Sequence, residues 1–556
     1  MADSDAIGTT TPFVPTTIGG ALLRTVGRRA GHEALVFPPQ RFTYAEFADR
    51  SLQVARSLAA LGVGRGAHVG LLMPNCPDFV FAFFGAQLLG AVVVPINTRF
   101  RTRELTYVAE NADLDLLLTT DVSDEHVDLA DRVSASLPGL AGSSRPERLA
   151  LAGAPQLRAV VLLGAREEPG MITQTRFASL ADTVPEQRVR AAIALATPDE
   201  AALLLYTSGT TAQPKGCLLT HDAVLHVWCS AARRLQIGED DRLWDALPLF
   251  HLACLGPLLF MVELGGTLIS MTHFEAGRAL DAMEQEGATW LYTVFPFIAM
   301  SLVTDTSFAA HDLSRVRGLL NGGPPDMMRS IQAAFPHARN IGAHFGMTEG
   351  SGAITCHHWD AMPAELAETH GSPLPGTAVR TVDPETGSVL GPGLPGELQL
   401  RGRGLMLGYH RDPGATAELM TGDGWLRSGD LGVIDDAGLV TYLSRLKDML
   451  KVGGENVSPA EIEAHLSMHP AVKLVQVVGA PDDRLGEVAA AFVELAPGYG
   501  ATADELLAHC TGAIASFKVP RYVRFVEEWP MSATKIQKFR LRELISAEIE
   551  GDEHQS

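Results

Sequence analysis

Apolar positions along the chain follow two patterns, one with the period of an α-helix and one in short continuous runs. Residues 41–63 have the helical period, and residues 68–75 (HVGLLMPN) form a short apolar run that ends in turn residues. Further apolar runs, separated by amphipathic segments, occupy residues 159–163, 201–206, 265–270 and 289–293. Because strands of parallel sheets read as apolar runs between helices, we predict an α/β protein with mostly parallel sheets.

One segment, residues 79–96, is apolar over the length of a short membrane span. Asn75 and Pro77 are typical of a helix start and Gly90 of a helix end, and residues 91–96 are typical of a buried strand. We therefore predict a core helix followed by a parallel strand, and no integral membrane segment.

The pattern changes near residue 371. Residues 371–442 contain short strand-like runs separated by glycines and turn residues, which predicts a β-rich subdomain. From residue 447 the chain returns to mixed helix and strand, with EIEAHLSMHP as a helix and VKLVQVVGA as a strand. We predict a division into a large domain over residues 1–446, with the β-rich subdomain at about 371–446, and a small domain over residues 447–556.

Composition narrows the choice of partners. The 556-residue chain has a formal net charge of -21, with 46% hydrophobic and 20% charged residues. Such an acidic protein repels nucleic acid, so a polyanionic ligand must be bound by backbone dipoles and a few placed cations. Six cysteines without metal-ligand spacing, and an N-terminus without the features of a secretory signal, favour the reducing cytoplasm.

The strongest local motif is YTSGTTAQPKG at residues 206–216, directly after an apolar strand. Its glycines, hydroxyl groups and lysine can surround phosphate oxygens with backbone N–H groups, hydroxyls and one positive charge. An ordinary polar loop has the same composition, and on the residues alone this alternative stays open. The spacing GxxxxGK[ST] is absent, so the motif is not a Walker A loop.

This motif resembles the phosphate-binding signature of the adenylate-forming enzymes, the superfamily of acyl-CoA synthetases, peptide synthetase adenylation domains and luciferases. Four further motifs resemble those of the superfamily and occur in its order between residues 344 and 538. The resemblance covers about residues 35–545. It implies a large N-terminal domain of two mostly parallel α/β sheets plus the β-rich subdomain, and a small, mobile α+β C-terminal domain.

The second motif is HFGMTE at residues 344–349. The resemblance implies that Phe345 stacks on adenine, that Thr348 contacts the α-phosphate region and that Glu349 holds Mg²⁺. An aromatic face suits a base, and a carboxylate oxygen is a hard ligand of the kind that Mg²⁺ takes. The family usually has Tyr in place of Phe345, so any contact made by a phenol is lost in this chain.

Two motifs resemble the ribose site and the domain junction. In GWLRSGDLG at residues 424–432, Asp430 is implied to accept both ribose hydroxyls, as a carboxylate can. In SRLKDMLKVGGENV at residues 444–457, Arg445 is implied to reach the ribose and Lys447 to be the hinge of the small domain. The path of CoA is implied to include Lys451, Gly453 and Gly454.

The last motif, MSATKIQK at residues 531–538, resembles the segment that carries the adenylation lysine, here Lys535. An ammonium group can bridge the attacking carboxylate and the α-phosphate, and can offset charge as pyrophosphate leaves. The family normally has Gly where this chain has Thr534.

The resemblance also assigns the nucleotide site as a whole. The implied ATP or AMP site comprises Thr207, Ser208, Gly209, Thr210, Thr211, Lys215, Gly322, Gly323, His344, Phe345, Gly346, Met347, Thr348, Asp430, Tyr442, Arg445 and Lys535. Glu349 is the implied magnesium ligand, with Thr207 as a further candidate. The implied catalytic residues are Lys535, His251, Glu349 and Thr348.

Residues 245–256 (DALPLFHLACLG) discriminate between branches of the superfamily. Amino-acid-activating domains have an Asp after the Phe, where a carboxylate pairs with the substrate ammonium, and this chain has His251 instead. The PLFH form resembles acyl-CoA synthetases, in which the His helps to seat the substrate carboxylate. By analogy the acyl pocket comprises Val227, Trp228, His251, Ala253, Cys254, Asn321, Gly322, Gly342 and Ala343.

We therefore predict a ligase that converts a carboxylic acid and ATP to acyl-AMP and pyrophosphate, and then transfers the acyl group to CoA. The expected cofactors are ATP, Mg²⁺ and CoA, and the expected partners are a small carboxylic acid and, as an open prediction, a second copy of the chain. Acyl transfer to a carrier protein or an amine is the alternative within the enzyme class, although the chain ends without a carrier domain. An ATP-binding regulatory protein without turnover is the alternative outside it.

Overall fold

The computed structural model of the chain describes residues 14–123, 125–207, 213–453, 455–482, 484–532 and 535–553. Within these residues the chain divides into two compact units. The first unit contains residues 14–207, 213–378 and 400–426, and the second contains residues 379–399 and 427–553, apart from the gaps just given.

The strands are, in chain order, β1 (Glu33–Phe37), β2 (Gln40–Thr43), β3 (His68–Leu72), β4 (Val92–Pro95), β5 (Leu116–Thr120), β6 (Ala159–Leu163), β7 (Ile172–Thr173), β8 (Ala201–Thr207), β9 (Lys215–Thr220), β10 (Arg242–Asp245), β11 (Thr267–Ile269), β12 (Trp290–Val294), β13 (Gly318–Asn321), β14 (Asn340–Gly342), β15 (Thr355–Cys356), β16 (Ser372–Pro373), β17 (Thr377–Val382), β18 (Gly396–Gly402), β19 (Gly408–Tyr409), β20 (Leu426–Ile434), β21 (Val440–Arg445), β22 (Leu450–Val452), β23 (Glu455–Val457), β24 (Val472–Asp482), β25 (Gly486–Leu495), β26 (Tyr522–Phe525), β27 (Met531–Ser532) and β28 (Lys535–Ile536).

The α-helices are α1 (Ile18–Arg29), α2 (Tyr44–Ala60), α3 (Pro77–Gln87), α4 (Thr102–Asn111), α5 (Leu129–Ser136), α6 (Gln174–Leu180), α7 (Glu186–Leu195), α8 (His221–Arg234), α9 (Leu252–Leu264), α10 (Ala276–Gln285), α11 (Pro296–Val303), α12 (Pro325–Ala334), α13 (Pro363–Glu368), α14 (Pro413–Leu419), α15 (Pro459–Leu466), α16 (Ala503–Cys510) and α17 (Lys538–Glu553).

Two large sheets form the first unit. One has the strand order β14-β13-β12-β10-β11-β1-β2, and its pairs are parallel except for the β1–β2 hairpin. The other has the order β19-β9-β8-β4-β3-β5-β6-β7, and it is parallel from β8 to β7. Parallel strands need crossover connections, and helices supply them and cover the sheets. The predicted pair of mostly parallel sheets is confirmed.

Two smaller sheets lie wholly or mainly in the second unit. A four-stranded sheet has the order β17-β18-β20-β21, and a further sheet has the order β23-β22-β25-β24, with β26 parallel to β25. Helices α15 and α17 pack on β24, and the buried side chains around them form a separate apolar core. The predicted mixture of short strands followed by an α+β region is confirmed, whereas the predicted boundary between residues 446 and 447 stays a prediction.

The apolar segment at residues 79–96 forms α3 and β4, as predicted. The helix begins at Pro77, but its N-cap residue is Cys76, so Asn75 does not cap it. Side chains on all sides of α3 are buried, because the helix is surrounded by the core instead of lying at a surface. Among the described residues, no helix is both long and apolar enough to cross a membrane.

Candidate nucleotide and acyl site

Strands β8 and β9 form the hairpin that carries the predicted phosphate loop. Thr207 and Lys215 are paired across the hairpin, and the Thr207 hydroxyl donates to the carbonyl of Lys215 at 3.4 Å. The predicted phosphate-binding residues Ser208, Gly209, Thr210 and Thr211 lie outside the described residues. The antiparallel pairing brings both ends of the motif together, so that the loop is closed at its base by Thr207 and Lys215.

Glu349, the predicted magnesium ligand, is buried and is held by Tyr409. The Tyr409 hydroxyl donates to Glu349 Oε1 at 2.7 Å, and the amide of Met406 donates to the Glu349 carbonyl at 2.9 Å. The Lys215 ammonium lies 5.2 Å from the centre of the Tyr409 ring, within the range of a cation–π contact. Tyr409 therefore links the predicted metal ligand to the base of the phosphate loop.

The predictions did not include Tyr409. It reaches the site because β19 pairs with β9, with Tyr409 opposite Cys217. This pairing joins residues almost two hundred positions apart, and no local pattern signals it.

The loop that carries the predicted adenine-stacking residue is held by hydrogen bonds to the segment at Ile354 and Thr355. Phe345 is buried, its amide donates to Thr355 Oγ1 at 3.1 Å, and its carbonyl accepts from Ile354 at 2.8 Å. A Cβ at Gly346 would lie 1.5 Å from the carbonyl oxygen of Gly352, so only glycine fits there. A short 3₁₀ helix follows, which begins at Thr348 after the N-cap residue Met347 and includes Glu349.

Buried histidines support the same loop. His357 Nδ1 lies 2.9 Å from the carbonyl of Ala343, and its Nε2 lies 2.9 Å from Thr369 Oγ1. Burial lowers the pKa of His357 and of His344 to about 4 each, so both rings are neutral at pH 7. The neutral rings act as hydrogen-bonding and packing groups and add no positive charge at this loop, residues 343–347, which we call the adenine loop after its predicted role.

The glycine loop after β13 is also braced by side chains. Asn321 is buried, donates to the carbonyl of Gly322 at 2.8 Å and accepts from the Thr293 hydroxyl at 3.0 Å. The amide of Gly322 donates to Val294 at 3.0 Å. The structure thus places the predicted residues Asn321, Gly322 and Gly323 at the carboxyl end of a parallel strand, where ligands of α/β proteins bind.

His251 immediately precedes α9 as its N-cap residue. The loop before it is held by the buried Asn75, which donates to the carbonyl of Leu247 at 2.8 Å and accepts from the amide of Leu249 at 2.7 Å. Asn75 therefore braces the PLFH segment and is not the helix signal that its position suggested. The two segments are far apart in sequence, so the pattern of Asn75 and Pro77 alone could not reveal this role.

Trp228 fills a space between two glycines. A Cβ at Gly256 would lie 2.0 Å from an indole carbon, and a Cβ at Gly352 would lie 2.7 Å from another. The indole contacts the rings of Tyr292 and His344, each with centroids 6.1 Å apart. Trp228 therefore packs against the adenine loop.

The other predicted pocket residues lie on α8, on α9 and at the end of β14. Val227 is buried beside Gly404, whose Cβ position would be 2.5 Å from Val227. Cys254 is buried and Ala253 is half-buried at the start of α9. A Cβ at Gly342 would lie 2.9 Å from His357 Nδ1, which explains the glycine next to Ala343.

In the second unit, Asp430 and Arg445 face each other across β20 and β21. The Arg445 Nε atom lies 2.9 Å from Asp430 Oδ1, and Asp430 is buried. The Asp430 amide donates to Ser428 Oγ at 3.0 Å. Burial raises the pKa of the nearby Tyr442 phenol, and the Asp430 charge adds to this effect, so the phenol keeps its proton at pH 7.

The predicted hinge and CoA residues follow β21 directly. Lys447 is exposed in a 3₁₀ turn, Leu446–Asp448, and its carbonyl accepts from Arg542 of α17 at 3.4 Å. The amide of Lys451 in β22 donates to Glu487 at 2.9 Å. Gly453 has a φ of 60° and donates to Leu485 at 2.9 Å, while Gly454 lies outside the described residues.

The backbone of Lys535 lies in a short hairpin of β27 and β28, opposite Ser532. Thr534, the departure from the family pattern, lies outside the described residues. The neighbouring Lys538 is paired with Glu463 at 2.6 Å.

The first unit thus carries the hairpin of the predicted phosphate loop and a braced aromatic loop that ends in a buried carboxylate, and the second unit carries the pair of Asp430 and Arg445. The family model of the AMP-binding enzyme matches residues 22–410, and that of the AMP-binding enzyme C-terminal domain matches residues 461–535. The chain therefore belongs to the AMP-binding enzyme family.

Individual relatives agree with this assignment. The chain is 35% identical to the putative acyl-CoA synthetase YngI of Bacillus subtilis (strain 168), over 96% of this chain and 97% of the relative. It is 30% identical to the mitochondrial medium-chain acyl-CoA ligase ACSF2 of Bos taurus, over 95% and 87%.

Among solved structures, the anthranilate CoA ligase AuaEII in complex with anthranoyl-AMP superposes with a TM-score of 0.82 at 26% identity, over 97% of this chain and 99% of that one. These findings confirm the predicted fold class and the predicted activity, that of an AMP-forming acid–CoA ligase that uses ATP and CoA.

Proposed function

We propose that the chain carries out its two half-reactions with the residues described above. In the first, a carboxylate oxygen of the acid attacks the α-phosphorus of ATP, and the bond to pyrophosphate breaks. In the second, the CoA thiolate attacks the acyl carbonyl carbon, the bond to the phosphate oxygen breaks, and AMP leaves. As in other reactions at phosphate groups, positioning and charge supply most of the catalysis.

The observation that carries this proposal is the contact between Tyr409 and Glu349, next to Lys215. It presents a buried carboxylate in a fixed orientation beside a cation at the base of the phosphate loop. Within the described residues no group of three or more His, Cys, Asp or Glu could hold a metal by itself. The donor set therefore fits Mg²⁺ shared with phosphate oxygens, with Glu349 as ligand and Thr207 as a further candidate. Bound Mg²⁺ would offset negative charge on the phosphates.

The remaining roles are assigned as follows. The oxygens of Thr348 and the hydroxyls and amides of the phosphate loop bind the phosphates, Phe345 stacks on adenine, and Asp430 and Arg445 hold the ribose. Lys535 stabilises charge during adenylation, and His251 orients the carboxylate of the acid. The region after Lys447 then turns, which removes Lys535 and brings Lys451, Gly453 and Gly454 to the path of CoA.

The acid is proposed to be of medium size and largely apolar. The bovine relative is named for medium-chain acids and the solved neighbour for anthranilate, an aryl acid of moderate size. The location in the cytoplasm stays a prediction, since the bovine relative is named as mitochondrial. The homodimer also stays a prediction.

The division of labour is tested by Lys535→Ala. We expect pyrophosphate release to fall by about 100-fold or more, because the charge that stabilises the transition state is lost. Thioester formation from supplied acyl-AMP and CoA should stay within about threefold of the unmodified enzyme, because that step does not use the lysine. Both rates are measured by coupled pyrophosphate and thioester assays.

Lys538→Ala is the matched control. It removes a lysine three positions away that is paired with Glu463, and pyrophosphate release should persist. Equal loss of both half-reactions in Lys535→Ala would refute the assigned role. The rival acceptors are tested by product analysis with CoA omitted, and ATP–pyrophosphate exchange in the unmodified chain distinguishes a ligase from a regulatory protein.

A further inference from the structure

A carboxyl group lies buried beside the predicted acyl pocket, although neither half-reaction uses it. Asp245 is the last residue of β10, six positions before His251, and it is completely buried. Its Oδ1 atom accepts from the amide of Leu247 at 2.8 Å. Its Oδ2 atom is also buried, and no N–H or O–H group in the part of the chain that the structure describes donates to it.

The register of the sheet places Asp245 on the ligand side. Asp245 is opposite Tyr292, Tyr292 is opposite Leu320, and Leu320 is opposite Gly342, across β10, β12, β13 and β14. Partners in neighbouring parallel strands point to the same face of the sheet. Asp245 therefore shares its face and its level with Gly342, a predicted pocket residue, at the carboxyl ends of the strands.

A second predicted pocket residue approaches Asp245 from α9. The Cys254 thiol lies within reach of a weak hydrogen bond to the Asp245 carboxyl, and both side chains are fully buried. Burial raises the pKa of Asp245 well above its usual range, because a charged carboxylate is poorly solvated there, and it raises the pKa of Cys254 in the same way. This direction favours the protonated carboxyl, which can both donate and accept a hydrogen bond, whereas a carboxylate can only accept.

A buried polar atom without a partner lowers stability, and native proteins keep few of them. The turn at Leu247 uses only Oδ1 of Asp245, and the Cys254 thiol is a weak donor, so neither group supplies a full hydrogen bond to the second oxygen. A group on the ligand that fills the pocket would satisfy it. A neutral oxygen fits better than a second carboxylate, whose charge would have to be buried.

We propose that Asp245 forms a polar subsite of the acyl pocket, which binds a hydroxyl or carbonyl oxygen carried on the acyl chain of the substrate acid. This inference rests on the proposed position of the acyl pocket. It makes the acid an oxygen-substituted one and not a plain hydrocarbon acid. Asp245 acts on specificity, and the reacting atoms are left to His251 and Lys535.

The test compares matched pairs of medium-length acids, each pair consisting of a plain alkanoic acid and the same acid with one keto or hydroxyl group at successive chain positions. The measured quantity is the ratio of kcat/KM for the substituted and the plain acid in the pyrophosphate-release assay. In the unmodified enzyme this ratio should exceed one for at least one position. The dicarboxylic acid of the same length should be a poor substrate.

Asp245→Ala removes the carboxyl and should lower the ratio about tenfold, as the loss of one buried hydrogen bond predicts. Asp245→Asn keeps a donor and an acceptor, and it should keep the ratio within about threefold. Ser51→Ala is the matched control, because Ser51 Oγ is a buried atom without a hydrogen-bond partner in the described chain, in α2 and away from the pocket. It should leave the ratio unchanged.

A purely structural role for Asp245 would lower activity on both acids of a pair equally, and an unchanged ratio in Asp245→Ala would overturn the inference. If Asp245→Ala does not fold, the unmodified enzyme decides the matter. The subsite is overturned if the unmodified enzyme prefers none of the substituted acids over the plain acid of the same length. Absence of pyrophosphate release with every acid would instead refute the proposed function, and with it the pocket on which the subsite depends.

Discussion

Tyr409 shows how much of this site depends on one hydroxyl group. It orients Glu349 through a 2.7 Å hydrogen bond, and a carboxylate that loses such a partner is free to rotate away from a metal. We therefore expect Tyr409→Phe to raise the Mg²⁺ concentration for half-maximal pyrophosphate release about tenfold, with a smaller change in the rate at saturating Mg²⁺. A Mg²⁺ titration of ATP–pyrophosphate exchange measures this.

Tyr206→Phe is the control at the same scale. Tyr206 lies on β8 next to Thr207, but its hydroxyl donates to Asn111 Oδ1 at 2.6 Å and not to Glu349. Removing it should leave the Mg²⁺ dependence unchanged. The same Mg²⁺ dependence in Tyr409→Phe and in the unmodified enzyme would remove Tyr409 from the site.

At the scale of elements, the parts of the fold that local patterns describe were predictable. The helical period of residues 41–63 gives α2, which Thr43 and Glu46 cap reciprocally, and the apolar runs give β3, β6, β8, β11 and β12. Elements that depend on distant contacts were not. In the sequence Asn75 is typical of a helix start, and its contacts with Leu247 and Leu249, more than 170 positions away, have no local signal.

The residues of the candidate site also fall into two groups, those that a short motif predicts and those that depend on distant contacts. Motif order predicts Glu349, Asp430 and Arg445 as site residues, because the chemistry proposed for each is carried by a short segment. The group that holds Glu349 was not identifiable, because β19 meets β9 only in the folded chain. Asp245 was part of a discriminating segment, yet its burial depends on packing between β10, β12 and α9 that no single segment contains.

The adenine loop is an element whose shape depends on one glycine. In Gly346→Ala the new Cβ would meet the Gly352 carbonyl, which is backbone and cannot move aside alone. We expect the free energy of unfolding to fall by about 1–3 kcal/mol, and the KM for ATP to rise about tenfold as Phe345 shifts. Thermal unfolding and ATP-dependent exchange measure the two effects.

Gly153→Ala is the matched substitution, since a Cβ there would meet nothing within 4 Å. It should change neither quantity. An unaltered KM for ATP in Gly346→Ala would mean that the loop does not position the base.

At the scale of the whole molecule, the protein and its ligands ATP and CoA all carry negative charge. The net charge is -21, yet ATP and CoA are polyanions. Long-range attraction therefore cannot guide them, and local groups must do so. Lys215 and Arg445 are the cations proposed for this role, and the Tyr409 ring contacts the first while the Asp430 carboxylate contacts the second.

The proposed turn of the region after Lys447 predicts opposite effects on the two half-reactions. Lys447→Pro fixes the φ angle within the 3₁₀ turn Leu446–Asp448 and restricts the residue before it. Adenylation should continue within about threefold, while thioester formation from supplied acyl-AMP should fall about 100-fold, because a reactant held out of place costs that much. Lys447→Ala removes the side chain but keeps the backbone free, and the second step should survive in it. If Lys447→Pro forms thioester normally, the hinge does not lie at Lys447, and the CoA step must be reached by another motion.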